Sequence, residues 1–270
     1  MTTVIRFSSL GDIVLAGAVT GQLGEVSFRT LPRYRELALR LPGVVRVLDP
    51  GEPAVGGRVI DLHNNLRSRQ YRADVRVSRQ DWRRRARVWF KASPAEPVVT
   101  RYGRAAGVEP SAPPWLPPVE RGSRLVLAPG AAHATKRWPY WRELARAWDG
   151  PVIAVGGPGE EGIVTELGGV AEAGFERTLE AMQGGAVLVA GDTGLLHLGA
   201  AVGLPVVGLF GPTTSDDGFY CYGDRGRAVE LPLACRPCSR FGGPTCPVGD
   251  HACLREIHPD QVLSAVRSLV

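Results

Sequence analysis

The run from Ala186 to Thr214, AVLVAGDTGLLHLGAAVGLPVVGLFGPTT, admits few folds. Ala186 to Ala190 is a short, valine-rich apolar segment, as befits a strand buried on both faces of a parallel sheet. Asp192 and Thr193 are capping residues for a helix predicted from Leu195 to Val202, with Leu195, Leu198 and Val202 on one face. Gly203 closes that helix. Pro205 to Phe210 is a second buried strand, stopped by Gly211-Pro212. Strand, loop, helix and parallel strand make a right-handed βαβ unit, and its loop lies at the carboxyl edge of the sheet, where open α/β sheets bind ligands. The free N–H groups around Gly194 suit an anion there. His197 falls roughly one helical turn further on, on the side of the loop.

The rest of the chain repeats this logic. Strands are predicted at Val4 to Phe7, Glu25 to Arg29, Val44 to Leu48 and Arg58 to Leu62. Between the first two, Ser8 to Asp12 forms a polar loop ahead of the apolar segment Ile13 to Val19. Helices are predicted from Pro32 to Leu41 and from Asn65 to Tyr71. Seven prolines lie between Ala92 and Pro118, around a helix from Val98 to Ala106; this composition marks a semi-rigid interdomain connection. The alternation then restarts with strand Leu125 to Ala128, a loop to Trp138, a helix opened by Pro139, strand Val152 to Val155, a helix around Glu160 to Leu167 and a short helix near Thr178 to Gln183. The reading is an α/β chain of two Rossmann-like, doubly wound domains, residues 1–118 and 119–270.

With 270 residues and 44% apolar composition, each domain has enough material for a core. No apolar run approaches the roughly 20 residues that span a bilayer, and the start of the chain has no secretory pattern, so a cytoplasmic protein is expected. Five cysteines without an export signal predict reduced thiols. The net charge of +5 is concentrated in a patch of Arg67, Arg69, Arg72, Arg76, Arg79, Arg83, Arg84, Arg85, Arg87 and Lys91. Trp82 and Trp89 are the only large aromatics among its last eleven residues before Phe90, and no nucleic-acid motif is present, so nucleic acid is not the expected partner. Lys136, in the loop after the first strand of the second domain, reaches the same sheet edge as Thr193 and offers a point charge for phosphate.

Five segments in order, IRFSSLGDIVL (Ile5 to Leu15), DLHNNLRSR (Asp61 to Arg69), APG with TKRWP (Ala128 to Pro139), GDTGLLHLGAAVGLPVVGLFGPTT (Gly191 to Thr214) and the cysteine-rich CRPC and its successors (Cys235 to Cys253), resemble glycosyltransferase family 9, the ADP-heptose:lipopolysaccharide heptosyltransferases. The resemblance implies a GT-B fold, with its two domains facing across a cleft. It implies inverting, metal-independent transfer of a heptose from ADP-heptose to a lipopolysaccharide inner-core or lipid A acceptor, with no cofactor beyond the nucleotide-sugar donor. Asp12 would be the general base. Ser9, Gly11, Lys136, Asp192, Thr193, Gly194, Leu195 and His197 would bind the donor, and Arg67 and Arg69 the anionic glycolipid acceptor at the inner leaflet. Arg83 to Arg87 would face anionic lipid, placing a cytoplasmic protein peripherally at the inner membrane. Another nucleotide-sugar donor or glycan acceptor on the same mechanism is the alternative, and a non-catalytic nucleotide-sugar-binding protein is the alternative of another class. The residues 131–134 before Lys136, AAHA, offer fewer hydroxyls to a diphosphate than the family often does. Cys235, Cys238, Cys246 and Cys253 are zinc candidates by residue type only, since their spacing is that of neither a ribbon nor a finger.

Overall fold

The computed structural model describes residues 1–78, 81–91, 94–171, 174–220 and 222–270. Its first half alternates β1 (Thr2–Ile5), α1 (Leu10–Thr20), β2 (Val26–Arg29), α2 (Arg35–Leu39), β3 (Val44–Leu48), β4 (Arg58–Asp61), α3 (Leu66–Arg69) and β5 (Val75–Arg76), followed by α4 (Asp81–Phe90) and α5 (Val98–Ala106). The second half runs β6 (Arg121–Ala128), α6 (Trp141–Ala147), β7 (Val152–Gly156), α7 (Glu161–Glu166), β8 (Val170–Ala171), α8 (Gly174–Met182), β9 (Gly185–Gly191), α9 (Gly194–Ala201), β10 (Val206–Leu209), β11 (Gly226–Val229), α10 (Ala252–Arg255) and α11 (Pro259–Arg267).

Every described strand pair is parallel. The sheets have the orders β3-β2-β1-β4-β5 and β11-β10-β9-β6-β7-β8. In each, the strand that opens the sheet sits inside it and the order reverses beside it, between β1 and β4 and between β6 and β9. That reversal opens the crevice in which doubly wound sheets bind ligands. The two crevices belong to α1 and α9, whose residues pack into one apolar core that runs from Val4 and Ile13 through Trp115 to Leu196 and Val206. A second cluster, with Trp138, Trp141, Val262 and Val266, covers the other face of the second sheet.

Several local readings change. Helix α1 begins at Leu10, so Gly11 and Asp12 lie in its first turn and not in a loop; Ser9 is the N-cap, and its N–H and hydroxyl both donate to the Asp12 carboxylate at N3, which starts the helix early. Pro32–Tyr34 is a 3-10 turn leading into α2. Strands β5, β8 and β11 were not anticipated, being edge or near-edge segments of two to four residues. Among its described residues the proline-rich connection is fastened at two places: α5 buries Val98, Tyr102 and Ala106, and the N–H groups of Trp115 and Leu116 both donate to Ala201 O at 2.9 Å. Gly17 admits the Trp115 side chain against α1, since a Cβ there would fall 2.7 Å from Trp115 Cβ. Helix α4 carries the last part of the basic patch; Arg79 and the Arg84 side chain lie outside the described residues. Among the described residues, no helix is long and apolar enough to cross a membrane.

Candidate functional site

Because β1 and α1 meet at a carboxyl edge, Arg6, one residue past the strand, and Asp12, in the first turn of the helix, face each other. Arg6 Nη2 lies 2.6 Å from Asp12 Oδ1, with 13% and 16% of the two side chains exposed. Asp12 Oδ2 accepts from Ser9 Oγ at 2.8 Å and from Ser9 N–H at 3.1 Å. Burial alone would raise the Asp12 pKa. The Arg6 guanidinium and the Ser9 donors outweigh it and hold the carboxyl below its ordinary value, where a plain helix-start aspartate would have kept an ordinary one. Asp12 is therefore an anion at neutral pH. Tyr102 and Arg101 of α5 stand behind this pair. Burial, reinforced by Asp12 and opposed by Arg6, pushes the Tyr102 phenol well above its usual range, so it keeps its proton. Burial lowers the Arg101 pKa against the pull of Tyr102 and Asp12.

On the facing half, Lys136 Nζ lies 2.6 Å from Asp192 Oδ2 and donates to Asp192 O at 2.9 Å. Thr213 Oγ1 donates to the same carboxylate oxygen at 2.7 Å. Burial opposes ionisation of Asp192, but Lys136 and Thr213 win, and its pKa is lowered. Thr193 is the N-cap of α9, yet its side chain caps nothing, and its Oγ1 is buried with no hydrogen-bond partner among the described residues. An orphaned hydroxyl at a helix N-terminus is a place for a ligand oxygen. His197 is buried, with Nδ1 hydrogen-bonded to the Tyr222 hydroxyl, and burial lowers its pKa despite Asp192, leaving the ring neutral.

The two halves touch through glycines. A Cβ on Gly11 would lie 2.5 Å from His197 Cδ2, and one on Gly194 would lie 2.6 Å from Leu10 Cδ2 and 3.1 Å from Gly11 N. Only residues without side chains let the starts of α1 and α9 approach this closely.

Two cavities open at this junction. One, of about 530 Å³, is lined mainly by the first half, including Arg6, Asp12, His63, Asn65, Arg101 and Tyr102, and by His133, Phe219 and Phe241. The other, of about 150 Å³, is lined by Gly11, Lys136, Asp192, Thr193, Gly194, His197, Thr213, Thr214, Asp217 and Arg240. Ser9, Asp12, Phe219 and Phe241 border both. Of the residues predicted from sequence, Asp12, Ser9, Gly11, Lys136, Asp192, Thr193, Gly194 and His197 are thus brought together. Leu195 is not; it is half-buried against the core. Arg67 and Arg69 are exposed on α3 and line neither cavity, Arg69 bonding Asn64 Oδ1 at 3.0 Å. Arg6, Arg101, Tyr102, Thr213 and Arg240 went unnamed. For Arg6 a signal existed, since it stands at the same carboxyl edge as Asp12.

Cys235, Cys238, Cys246 and Cys253 are free thiols near one another, and burial raises Cys238 and takes Cys253 up to about 11. Among the described residues, no group of three or more His, Cys, Asp or Glu side chains is arranged to hold a metal ion.

The chain is similar to several known proteins. Lipooligosaccharide heptosyltransferase 2 of Campylobacter jejuni is 30% identical over 84 residues, which is 31% of this chain and 25% of that protein. Lipopolysaccharide heptosyltransferase 1 of Pseudomonas aeruginosa is 34% identical over 128 residues, 42% of this chain and 36% of that protein. The alignment thus spans between a quarter and about a third of the length of these curated relatives. The solved structure of E. coli ADP-heptose lps heptosyltransferase II superposes with a TM-score of 0.73 at 19% identity, covering 99% of this chain and 98% of that one, which identifies the fold as that of the GT-B heptosyltransferases. Residues 105–245, just over half of the chain, match the family described as glycosyltransferase family 9 (heptosyltransferase), and the chain belongs to that family.

Proposed function

We propose that the protein transfers a heptose from ADP-heptose to a lipopolysaccharide inner-core or lipid A acceptor, with inversion and without a metal ion. The observation that carries this reading is the position of Asp12, which borders both cavities, while Arg6 and Arg101 border only the large one and Lys136, Asp192, Asp217 and Arg240 only the small one. In this reading the acceptor occupies the large cavity and the ADP moiety the small one. The acceptor hydroxyl oxygen attacks the anomeric carbon from the face opposite the diphosphate. A carbon–oxygen bond forms, the bond to the β-phosphate oxygen breaks, and ADP leaves with the electron pair. The hydroxyl proton passes to the Asp12 carboxylate.

A carboxylate with a lowered pKa is a weak base towards a free alcohol. The hydroxyl becomes acidic only as its bond to carbon forms, so the base acts late, and its fixed position supplies the advantage. Arg6 and Ser9 keep Asp12 ionised and aimed. Lys136, with the N–H groups at Thr193 and Gly194, neutralises the departing diphosphate, and the Thr193 hydroxyl gains the partner it lacks. Asp192 holds Lys136 in place, and His197 holds α1 against α9. Arg101 lines the acceptor cavity, with Arg67 and Arg69 further out along the path of a bulky anionic glycolipid. The protein works in the cytoplasm, in peripheral contact with the inner leaflet.

A panel of ADP- and UDP-sugars tests the reading by release of the nucleoside diphosphate in the presence of acceptor. ADP-heptose is expected to turn over with UDP-sugars inert. Turnover of a UDP-sugar alone would replace the donor, and release of nucleotide from none of them, with ADP still bound, would replace the enzyme by a binding protein.

A further inference from the structure

Residues 82–91 read WRRRARVWFK, five basic residues with no acidic one. In α4, at 100° per residue, Trp82, Ala86, Trp89 and Phe90 fall on one arc of about 100°, with Arg85 at one border and Arg83 at the other. The rings on that arc are bare: Trp82 is 67% exposed, Trp89 79% and Phe90 81%. Together they expose about 400 Å² at the areas usual for such rings, the size at which an apolar patch marks an interaction surface.

The opposite side of the helix is fastened down. Arg87 is buried, its Nε 3.1 Å from Asp217 Oδ1 and its Nη2 3.1 Å from Thr214 Oγ1. Lys91 Nζ donates to Cys235 O at 2.9 Å and Pro237 O at 2.7 Å. The basic cluster thus divides. Arg87 and Lys91 bind α4 to the second half of the molecule, whereas Arg83 and Arg85, at the borders of the aromatic arc, are exposed and available to an outside partner. Arg83 lies 5.2 Å over the Trp82 ring, which keeps its charge at the edge of the arc.

We propose that this face of α4 is an interfacial anchor that docks the enzyme on an anionic lipid bilayer. Trp82, Trp89 and Phe90 enter the headgroup boundary while Arg83 and Arg85 meet lipid phosphates. Tryptophan suits that depth because its ring is apolar and its N–H polar. Neither signal is enough alone; aromatic burial and basic charge together give stable, reversible binding. The inference rests on the proposed function in that an acceptor embedded in a bilayer gives the enzyme a reason to sit there.

Co-sedimentation of the full chain with vesicles of phosphatidylcholine, with and without phosphatidylglycerol, tests the anchor, with ADP affinity measured on the same proteins. The wild type is expected to bind the phosphatidylglycerol vesicles at least about tenfold better than the neutral ones. The triple variant Trp82→Ala/Trp89→Ala/Phe90→Ala is expected to lose about tenfold in partition, and Arg83→Gln/Arg85→Gln to lose the preference for phosphatidylglycerol. ADP affinity is expected to stay within about twofold throughout, because none of these side chains lines the donor cavity. Equal partition of wild type and triple variant overturns the anchor, as does binding to neither vesicle. Self-association or RNA binding that depends on the three rings, without vesicle binding, assigns the face to another partner and also overturns it. If ADP fails to bind while ring-dependent partition persists, the anchor stands and the proposed function falls.

Discussion

On the wall built from the first sheet, Arg6 and Asp12 stand 2.6 Å apart; on the wall built from the second, Lys136 and Asp192 stand at the same separation. Both pairs lie at carboxyl edges beside the start of a helix, and both carboxyls are held below their ordinary pKa. The difference lies in which partner faces the cleft. Asp12 sits inside the first turn of α1 and borders both cavities, so its cation acts as a holder. Asp192 sits ahead of α9, bonded to Lys136 and Thr213, and borders only the small cavity. There the lysine is the group offered and the carboxylate the holder. In the proposed function, one charge pattern, displaced by a few positions relative to the helix start, serves as a base on one wall and as an anion site on the other.

That division can be broken from either side. The largest effect is expected from Asp12→Asn, which keeps the shape and removes the proton acceptor: transfer should fall by about a thousandfold in a nucleotide-release assay. Retained transfer would take the base role away from Asp12. Next comes Lys136→Met. It leaves the largely buried Asp192 without its cation and should cost about 3 kcal/mol in urea denaturation, while Lys136→Met/Asp192→Asn should cost less than the single change. A double variant as unstable as the single one would mean that Asp192 does not depend on Lys136.

Gly194→Ala is expected to cost about 1–3 kcal/mol, because the new methyl meets Leu10 and the Gly11 backbone across the two halves. A neutral effect would show that the helix starts separate freely. The smallest effect concerns pH. His197 has a folded pKa below its ordinary value, so its contribution is fully present above the ordinary histidine range and is lost as pH falls through the depressed folded value. Stability should therefore drop more in the wild type than in His197→Gln on acidification from neutral pH, as read by thermal melts. Parallel pH profiles would contradict the neutral, buried ring.

The βαβ unit at Ala186 to Thr214, the paired sheets and the convergence of Asp12, Lys136 and Thr193 were legible because short-range periodicity and capping chemistry specify them. Other features depend on contacts between distant elements. Edge strands such as β5 and β8 have two residues each, too few for a period to register. In α4 the arginine run masked the helical spacing of Trp82, Trp89 and Phe90, and the burial of Arg87 depends on Asp217, 130 positions away. Tyr102 and Arg101 reach the site only because the connection folds back along α1, which proline content does not specify. The bonding of Ser9 to the Asp12 carboxylate was available from spacing alone, and with it the earlier start of α1.

The division of labour between the walls is tested most directly by ADP titration calorimetry on Asp12→Asn and Lys136→Met side by side. The Asp12→Asn protein is predicted to bind ADP within about twofold of wild type, and the Lys136→Met protein at least about tenfold more weakly. Equal weakening in both, or undiminished affinity in Lys136→Met, would contradict it.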